Sequence, residues 1–413
     1  MSERVPNGWM KMRLSDFSTS RRGTTYVSSE LSGDKEQYPL YINMKSFKVG
    51  GGYRRNGDKY FSSPYLPKQV VRKNDLLIAN TDVTDSCDIL GAPIYLPREK
   101  LNDDVLFSHH VTALNIADNI DLNFLSFLLC SENSRLEMKR CGRGTTVKML
   151  DMKDIGKILF LLPPFPEQKK IALILNSVDE VIETNQKKIK KLQDLKKAII
   201  NGLLTKGIDH KEFKDSELGR IPKSWKVYEL GKLCNFTQGV QISLDETLRV
   251  KKDGYIRYLY INDFLLDKNL RFIKDEFPKK IVTEQDLVMA NTGHSAGTIF
   301  RGKHGVLSNN AFKISIKRLI KSEYLFYYLS TDNYWFKIRK LFNSAGQPHV
   351  GHSNIAKLQF LCPPLDEQDK ILSIFHKIDE NILNNEKKLS KIKFLKKSLM
   401  QDLLTGKVRV KVN

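Results

Sequence analysis

The polar side chains of this sequence suit gripping and reading a ligand better than making or breaking bonds. In the first half Thr81, Asp82, His109, His110, Arg143, Thr145 and Lys148 fall in loop-like text; in the second half Thr292, His294, Asn309, Asn310, Gln347 and His349 do. Side chains of these kinds match the donor and acceptor patterns on nucleic-acid base edges. Arg54, Arg55 and Lys59 put three positive charges close together and suit phosphate oxygens. Taken singly, each reads more simply as a surface or turn residue.

Bond-making chemistry finds less support. His109-His110 and His349-x-x-His352 are close histidine pairs, but no cysteine or third ligand stands near either, so no metal site is expected. Cys87, Cys130, Cys141, Cys234 and Cys362 are widely spaced with no C-x-x-C, which reads as reduced, mostly buried thiols of a cytoplasmic protein. There is no G-x-x-x-x-G-K-[ST] and no G-x-G-x-x-G. Pro163-Pro164-Phe165 looks like the end of the [ND]-P-P-[FYW] motif of amino-methyltransferases. Leu162 stands where the polar residue belongs, and the second copy, Cys362-Pro363-Pro364-Leu365, lacks the aromatic too. With no nucleophile–base pair and no cofactor motif, the sequence reads as a binding protein that carries no cofactor. The rival readings are a stand-alone DNA methyltransferase or nuclease with an unrecognised active site, and a coiled-coil scaffold with incidental charge.

The elements that must hold these residues come in two copies. Val5-Pro6-Asn7-Gly8-Trp9 returns as Ile221-Pro222-Lys223-Ser224-Trp225, and Asp75 to Thr81 as Asp286 to Thr292. Phe107 to His110 returns as Leu307 to Asn310, and Pro163 to Gln168 as Pro363 to Gln368. The offset falls from 216 to 200 residues and then stays fixed. The globular parts have therefore diverged in length while the final hundred or so residues of each copy have not. Lys73–Asn80 and Gln285–Asn291 read as buried strands, and Asp121–Arg140 and Lys321–Lys340 as helical segments. Gly142-Arg143-Gly144 and Ala345-Gly346-Gln347-Pro348 follow these as glycine-bearing loops.

A long helix closes each copy. The first runs from Glu167, whose charge suits the helix dipole, to Thr205; the second starts at Asp366, an N-cap residue, and runs to Thr405. Apolar residues step by four and three through Ile171, Leu175, Val178, Ile182, Ile189 and Leu192, and through Ile371, Phe375, Ile378, Ile382, Leu389 and Ile392. That is a coiled-coil seam, most simply closed by pairing the two helices antiparallel. Asn185 and Asn385 share one seam position, where a polar residue can fix register or simply be tolerated at a frayed contact. The lysines at 187, 188, 190, 191, 196 and 197, matched by 387, 388, 391, 393, 396 and 397, form either a solvated face or a contact for phosphates or an acidic protein.

Charge narrows the class. With 68 Lys+Arg against 47 Asp+Glu, the formal net charge of the 413 residues is +21, which points to a polyanionic partner. No apolar run approaches the ~20 residues of a membrane span, and the first residues carry no signal-peptide pattern, so no membrane partner is expected.

Two variable domains alternating with two similar helices, each entered through Leu162-Pro163-Pro164-Phe165-Pro166-Glu167-Gln168 or Cys362-Pro363-Pro364-Leu365-Asp366-Glu367-Gln368, form a recognisable order. The helices close on Leu203-Leu204-Thr205 and Leu403-Leu404-Thr405-Gly406, and the copies open at Pro6-x-x-Trp9 and Pro222-x-x-Trp225. This order resembles the DNA-specificity (S) subunits of type I restriction–modification systems over essentially the whole chain. Cys362 for the usual Leu, and Lys206 before Gly207, are mild departures. The resemblance implies an α+β fold with target recognition domains at 1–165 and 207–365 and spacer helices at 166–206 and 366–413. It also implies double-stranded DNA as ligand, read as a split site. Two methyltransferase (M) subunits would dock on the paired helices, with restriction (R) subunits as optional further partners. Catalysis and S-adenosylmethionine would belong to the partners.

Overall fold

Apolar stretches become short central strands, and polar turn residues set where each one ends. The computed structural model describes residues 5–32, 37–96, 103–266, 268, 270–342 and 347–412. The expected loop residues Ala345 and Gly346 lie outside this set. The chain divides into two compact units, residues 1–186 with 388–413, and residues 187–387.

In the first unit, strands Ser18–Arg22, Val111–Ile116, Asp75–Ala79 and Pro93–Ile94 lie side by side in that order, all antiparallel. A second four-stranded sheet orders Leu31–Ser32, Lys59–Phe61, Leu40–Ile42 and Val105–Phe107, with its last pair parallel. The second unit repeats both sheets. Cys234–Gln238, Ala311–Ile316, Leu287–Ala290 and Ile299–Arg301 form the first, and Arg271–Lys274, Tyr255–Leu259, Gly305–Leu307 and Ile281–Val282 the second, again with one parallel pair. All five residues of Asp75–Ala79 are buried, as are all four of Leu287–Ala290. Gly23 and Gly239 bring one strand end against the turn of the other sheet. A Cβ on Gly23 would meet the Phe107 carbonyl oxygen at 2.1 Å, and one on Gly239 the Ser308 carbonyl oxygen at 2.0 Å, so no other residue fits at either position.

Each helical segment expected from the sequence is two helices. Leu122–Cys130 and Glu132–Arg140 are separated by Ser131, whose hydroxyl caps the second at the Ser134 N–H. Ser322–Leu329 and Asp332–Arg339 are separated by Ser330 and Thr331, and Thr331 caps the second at the Tyr334 N–H in the same way. A capping hydroxyl satisfies an N–H that would otherwise be orphaned, so the chain can restart a helix after a bend. These helices pack over the sheets in cores that hold Phe124, Leu125 and Met138 in the first unit and Tyr324, Leu325 and Ile338 in the second.

The long helices run Phe165–Lys206 and Leu365–Leu404. In the first unit the start of the first helix, at Ile171, Ala172 and Leu175, shares a core with the end of the second, at Leu399, Leu403 and Leu404. In the second unit the end of the first, at Ile199, Leu203 and Leu204, shares a core with the start of the second, at Ile371, Leu372 and Phe375. Start meets end in both, so the helices pair antiparallel. Reciprocal ion pairs mark the pairing: Lys396 lies 2.6 Å from Asp179 in the first unit, and Lys196 pairs with Asp379 in the second. Lys196 and Lys396 therefore serve the helix pair. Asn185 and Asn385 bond within their own helices, donating to the Val181 carbonyl (2.7 Å) and the Asn381 carbonyl (2.7 Å).

The helix entries are latches. The buried Glu167 accepts from Trp9 Nε1 (3.2 Å) and from Arg409 Nε and Nη2 (2.8 Å each). Glu367 accepts from Trp225 Nε1 (2.8 Å) and lies 2.7 Å from His210 Nε2. Gln168 accepts the Asp121 N–H and donates to the Pro163 carbonyl, and Gln368 does the same for Lys321 and Pro363. Glu167, expected to serve the helix dipole, thus also tethers the opening tryptophan of its copy, as Glu367 does in the second. Among the described residues no helix is long and apolar enough to cross a membrane.

Candidate nucleic-acid interface

In the first unit the candidate residues gather where strand Asp75–Ala79 leaves its sheet. Thr81–Asp82 pairs with Lys148–Leu150, which pairs with Gly142–Arg143, so the expected glycine loop is partly a strand. His109 and His110 sit on the turn between Val105–Phe107 and Val111–Ile116. The Asn80 N–H donates to the His110 carbonyl (2.8 Å), and Thr81 Oγ1 lies 3.0 Å from His110 Nδ1. Thr81 Oγ1 also lies 3.3 Å from Met44 Sδ, on the one-turn helix Met44–Ser46. The Ser46 carbonyl accepts the Arg54 N–H, so exposed Arg54 and Arg55 border the same cluster. Lys59 is exposed on strand Lys59–Phe61, outside this hydrogen-bonded group.

The environments divide the candidates. Asp82 is only 1% exposed, and its carboxylate accepts the Thr84 N–H and hydroxyl (2.8 Å each), the Ile89 N–H (2.6 Å) and the Leu90 N–H (3.1 Å). Burial pushes the carboxyl up, but these bonds outweigh it and hold it below its usual range. Its four acceptor positions are all used, which leaves Asp82 to organise residues 83–90. His110 is held below the ordinary imidazole value, first by burial and then by His109 beside it, whose ring centroid is 3.8 Å away. Thr145 is exposed, Lys148 is half-buried, and exposed Arg143 lies 2.5 Å from Asp154. Among the described residues, His109 Nδ1 and both ends of the fully buried Asn80 amide have no hydrogen-bond partner.

The second unit rebuilds the cluster with other side chains. Thr292 bridges to His349 in antiparallel register, as Thr81 does to Met149. Thr292 Oγ1 lies 3.2 Å from His349 Nδ1 and 3.0 Å from Asn291 Oδ1, and Asn291 Nδ2 lies 3.4 Å from the Asn309 carbonyl oxygen. Asn309 Nδ2 donates to Gln241 Oε1 (2.9 Å). His294, Asn310 and Gln347 are exposed around this group. A threonine–histidine couple thus recurs, with the imidazole supplied by the turn in the first unit and by the ribbon in the second. Asn80, Asn291, Met44 and Gln241 belong to these clusters but were not among the expected residues. The Asn-Thr pair ending the same strand in both copies was the available signal for the two asparagines.

A family model described as the type I restriction modification DNA specificity domain matches residues 6–194 and again 222–393. The type I restriction enzyme MjaVIII specificity subunit of Methanocaldococcus jannaschii is 27% identical over 428 aligned residues, covering 99% of this chain and 95% of its own. The putative type I restriction enzyme MjaX specificity subunit of the same organism is 32% identical over 287 residues, 65% of this chain and 64% of its own. Among solved structures, a chain of a type I R-M system superposes with a TM-score of 0.66 at 16% identity, covering 98% of this chain and 100% of itself. An S subunit from M. genitalium gives 0.52 at 15% identity, covering 98% of each chain.

Proposed function

Because this chain belongs to the type I restriction–modification DNA-specificity family and is a non-catalytic subunit for DNA sequence recognition, we propose that it reads a split double-stranded site, one half through each loop cluster. The observation that carries this reading is the pair of clusters. They stand at matching places on one repeated scaffold, yet His109-His110 in the first copy corresponds to Asn309-Asn310 in the second, and Met149 to His349. A constant frame with exchanged polar tips suits two different half-sites. Thr81, His109, His110, Arg143, Thr145 and Lys148 would serve one half, and Thr292, His294, Asn309, Asn310, Gln347 and His349 the other. Arg54, Arg55 and Lys59 would hold phosphates.

In this reading residues 1–165 and 207–365 are the target recognition domains, and the helices of 166–206 and 366–413 set the gap between half-sites. Two methyltransferase subunits, joined in a restriction-competent assembly by restriction subunits, would bind the helices in the cytoplasm. Matching exposed leucines, Leu195 and Leu395, together with Phe394, give the helices an apolar spot in each copy. Methylome sequencing of cells carrying this chain with its methyltransferase subunits should reveal one bipartite motif. Exchanging residues 207–365 for those of a relative should change one half of the motif only. A motif that changes in both halves, or no motif at all, would overturn the proposal.

A further inference from the structure

We propose that His349 reads the second half-site through an unprotonated Nε2, so that the base it meets presents an exocyclic amine, that of adenine or cytosine. The inference rests on the reading that these loop clusters contact DNA, and it adds a direction to one hydrogen bond. The direction follows from a relay of three contacts. At its inner end the Asn309 backbone carbonyl can only accept. Asn291 must therefore turn its Nδ2 towards it, at 3.4 Å, because the opposite orientation would set two oxygens face to face. That places Asn291 Oδ1, which also only accepts, 3.0 Å from Thr292 Oγ1. The single hydroxyl proton of Thr292 goes to Asn291. What Thr292 offers His349 at 3.2 Å is then a lone pair, so Nδ1 carries the imidazole proton. A neutral imidazole has one N–H, which leaves Nε2 as an acceptor.

Nε2 is also available. Among the described residues it has no hydrogen-bond partner, and His349 is half-buried rather than buried. On base edges in the major groove, adenine N6 and cytosine N4 are donors, whereas guanine N7 and O6, adenine N7 and thymine O4 are acceptors that a bare nitrogen cannot satisfy. The relay is specific to the second unit. In the first, among the described residues, both ends of the matching Asn80 amide are unbonded and the other neighbour of Thr81 Oγ1 is the weakly accepting Met44 Sδ, which leaves the Thr81 proton uncommitted.

The test uses the full chain assembled with its methyltransferase subunits and duplexes carrying the mapped site. Each adenine of the second half-site is replaced in turn by purine lacking the 6-amine, and each cytosine by 2-pyrimidinone lacking the 4-amine. One replacement should weaken wild-type binding about tenfold while leaving His349→Ala unaffected. Thr292→Val, which keeps the side-chain shape, should abolish the same sensitivity with an unchanged melting temperature, and Thr292→Ser should restore it. The inference is overturned if every amine deletion costs His349→Ala as much as wild type. It is also overturned if His349 is coupled instead to loss of an acceptor, such as a purine N7 removed in a 7-deaza base. A complex with no sequence preference would overturn the proposed function itself.

Discussion

Glu167 and Glu367 hold equivalent places but are balanced by different partners, Arg409 in one unit and His210 in the other. For Glu167, burial pushes the carboxyl up, yet the bonds from Arg409, the Val410 N–H and Trp9 outweigh it and leave it below 4.5. A carboxyl depressed in the folded state contributes stability above its unfolded value and loses it as pH falls through the folded one. Arg409→Leu should therefore destabilise the first unit at pH 7 by about 1–3 kcal/mol, the partial exposure of Arg409 keeping this below the figure for a fully buried pair. In thermal melts the gap between wild type and variant should narrow as pH falls through the depressed carboxyl range of Glu167; a gap that does not narrow at all on acidification would contradict the assignment. The Glu-Gln text was legible in the sequence, but its role was not. Helix-dipole reasoning uses only neighbours in the chain, and Trp9 and Arg409 come from its two ends. The same limit hid Asn291, which bonds Thr292 and Asn309 and reaches His349 only through Thr292, a group that meets only once the strand and both loops are in place.

Among the elements, the long helices were the most legible. A seam repeated at fixed offset needs no tertiary knowledge to recognise, and the antiparallel partner followed from the duplication. The breaks at Ser131 and Thr331 were not read, because apolar periodicity continues across them while a single hydroxyl restarts the helix. The two seam asparagines return their amides to their own helices. For helices that set a spacing, length is the variable that matters. Inserting one heptad into each long helix at matching seam positions adds about 10 Å, close to three base-pair steps of ~3.4 Å. Methylome sequencing should then show the gap in the motif lengthened by about three base pairs with both half-sites intact. An unchanged gap would remove the spacing role from the helices.

Over the whole chain, the charge of +21 sets a condition on binding that no single contact does. Neutralising six to ten phosphates releases their counterions, so log K should fall against log salt with a slope of about −5 to −9. Binding titrations from low to moderate salt measure this directly. Arg54→Ala with Arg55→Ala should flatten the slope by one to two without changing the motif. A shallow slope in the wild type would mean that the charge serves something other than the DNA backbone. The duplication made the architecture readable because it was printed twice. The reading surface was less so, since turn residues acquire a direction only from the frame beneath them.

The first unit also has a consequence in time. Its core includes Leu403 and Leu404, and its latch is closed by Arg409, while the second unit lies within one continuous stretch, 187–387. At a synthesis rate of ~5–20 residues per second, roughly 10–45 s separate the emergence of residue 186 from that of Leu404. The half of the protein made first is therefore finished last. Until then Trp9 and Glu167 wait without Arg409, exposed to chaperones and proteases, and any premature stop late in the message would damage the domain encoded at its beginning.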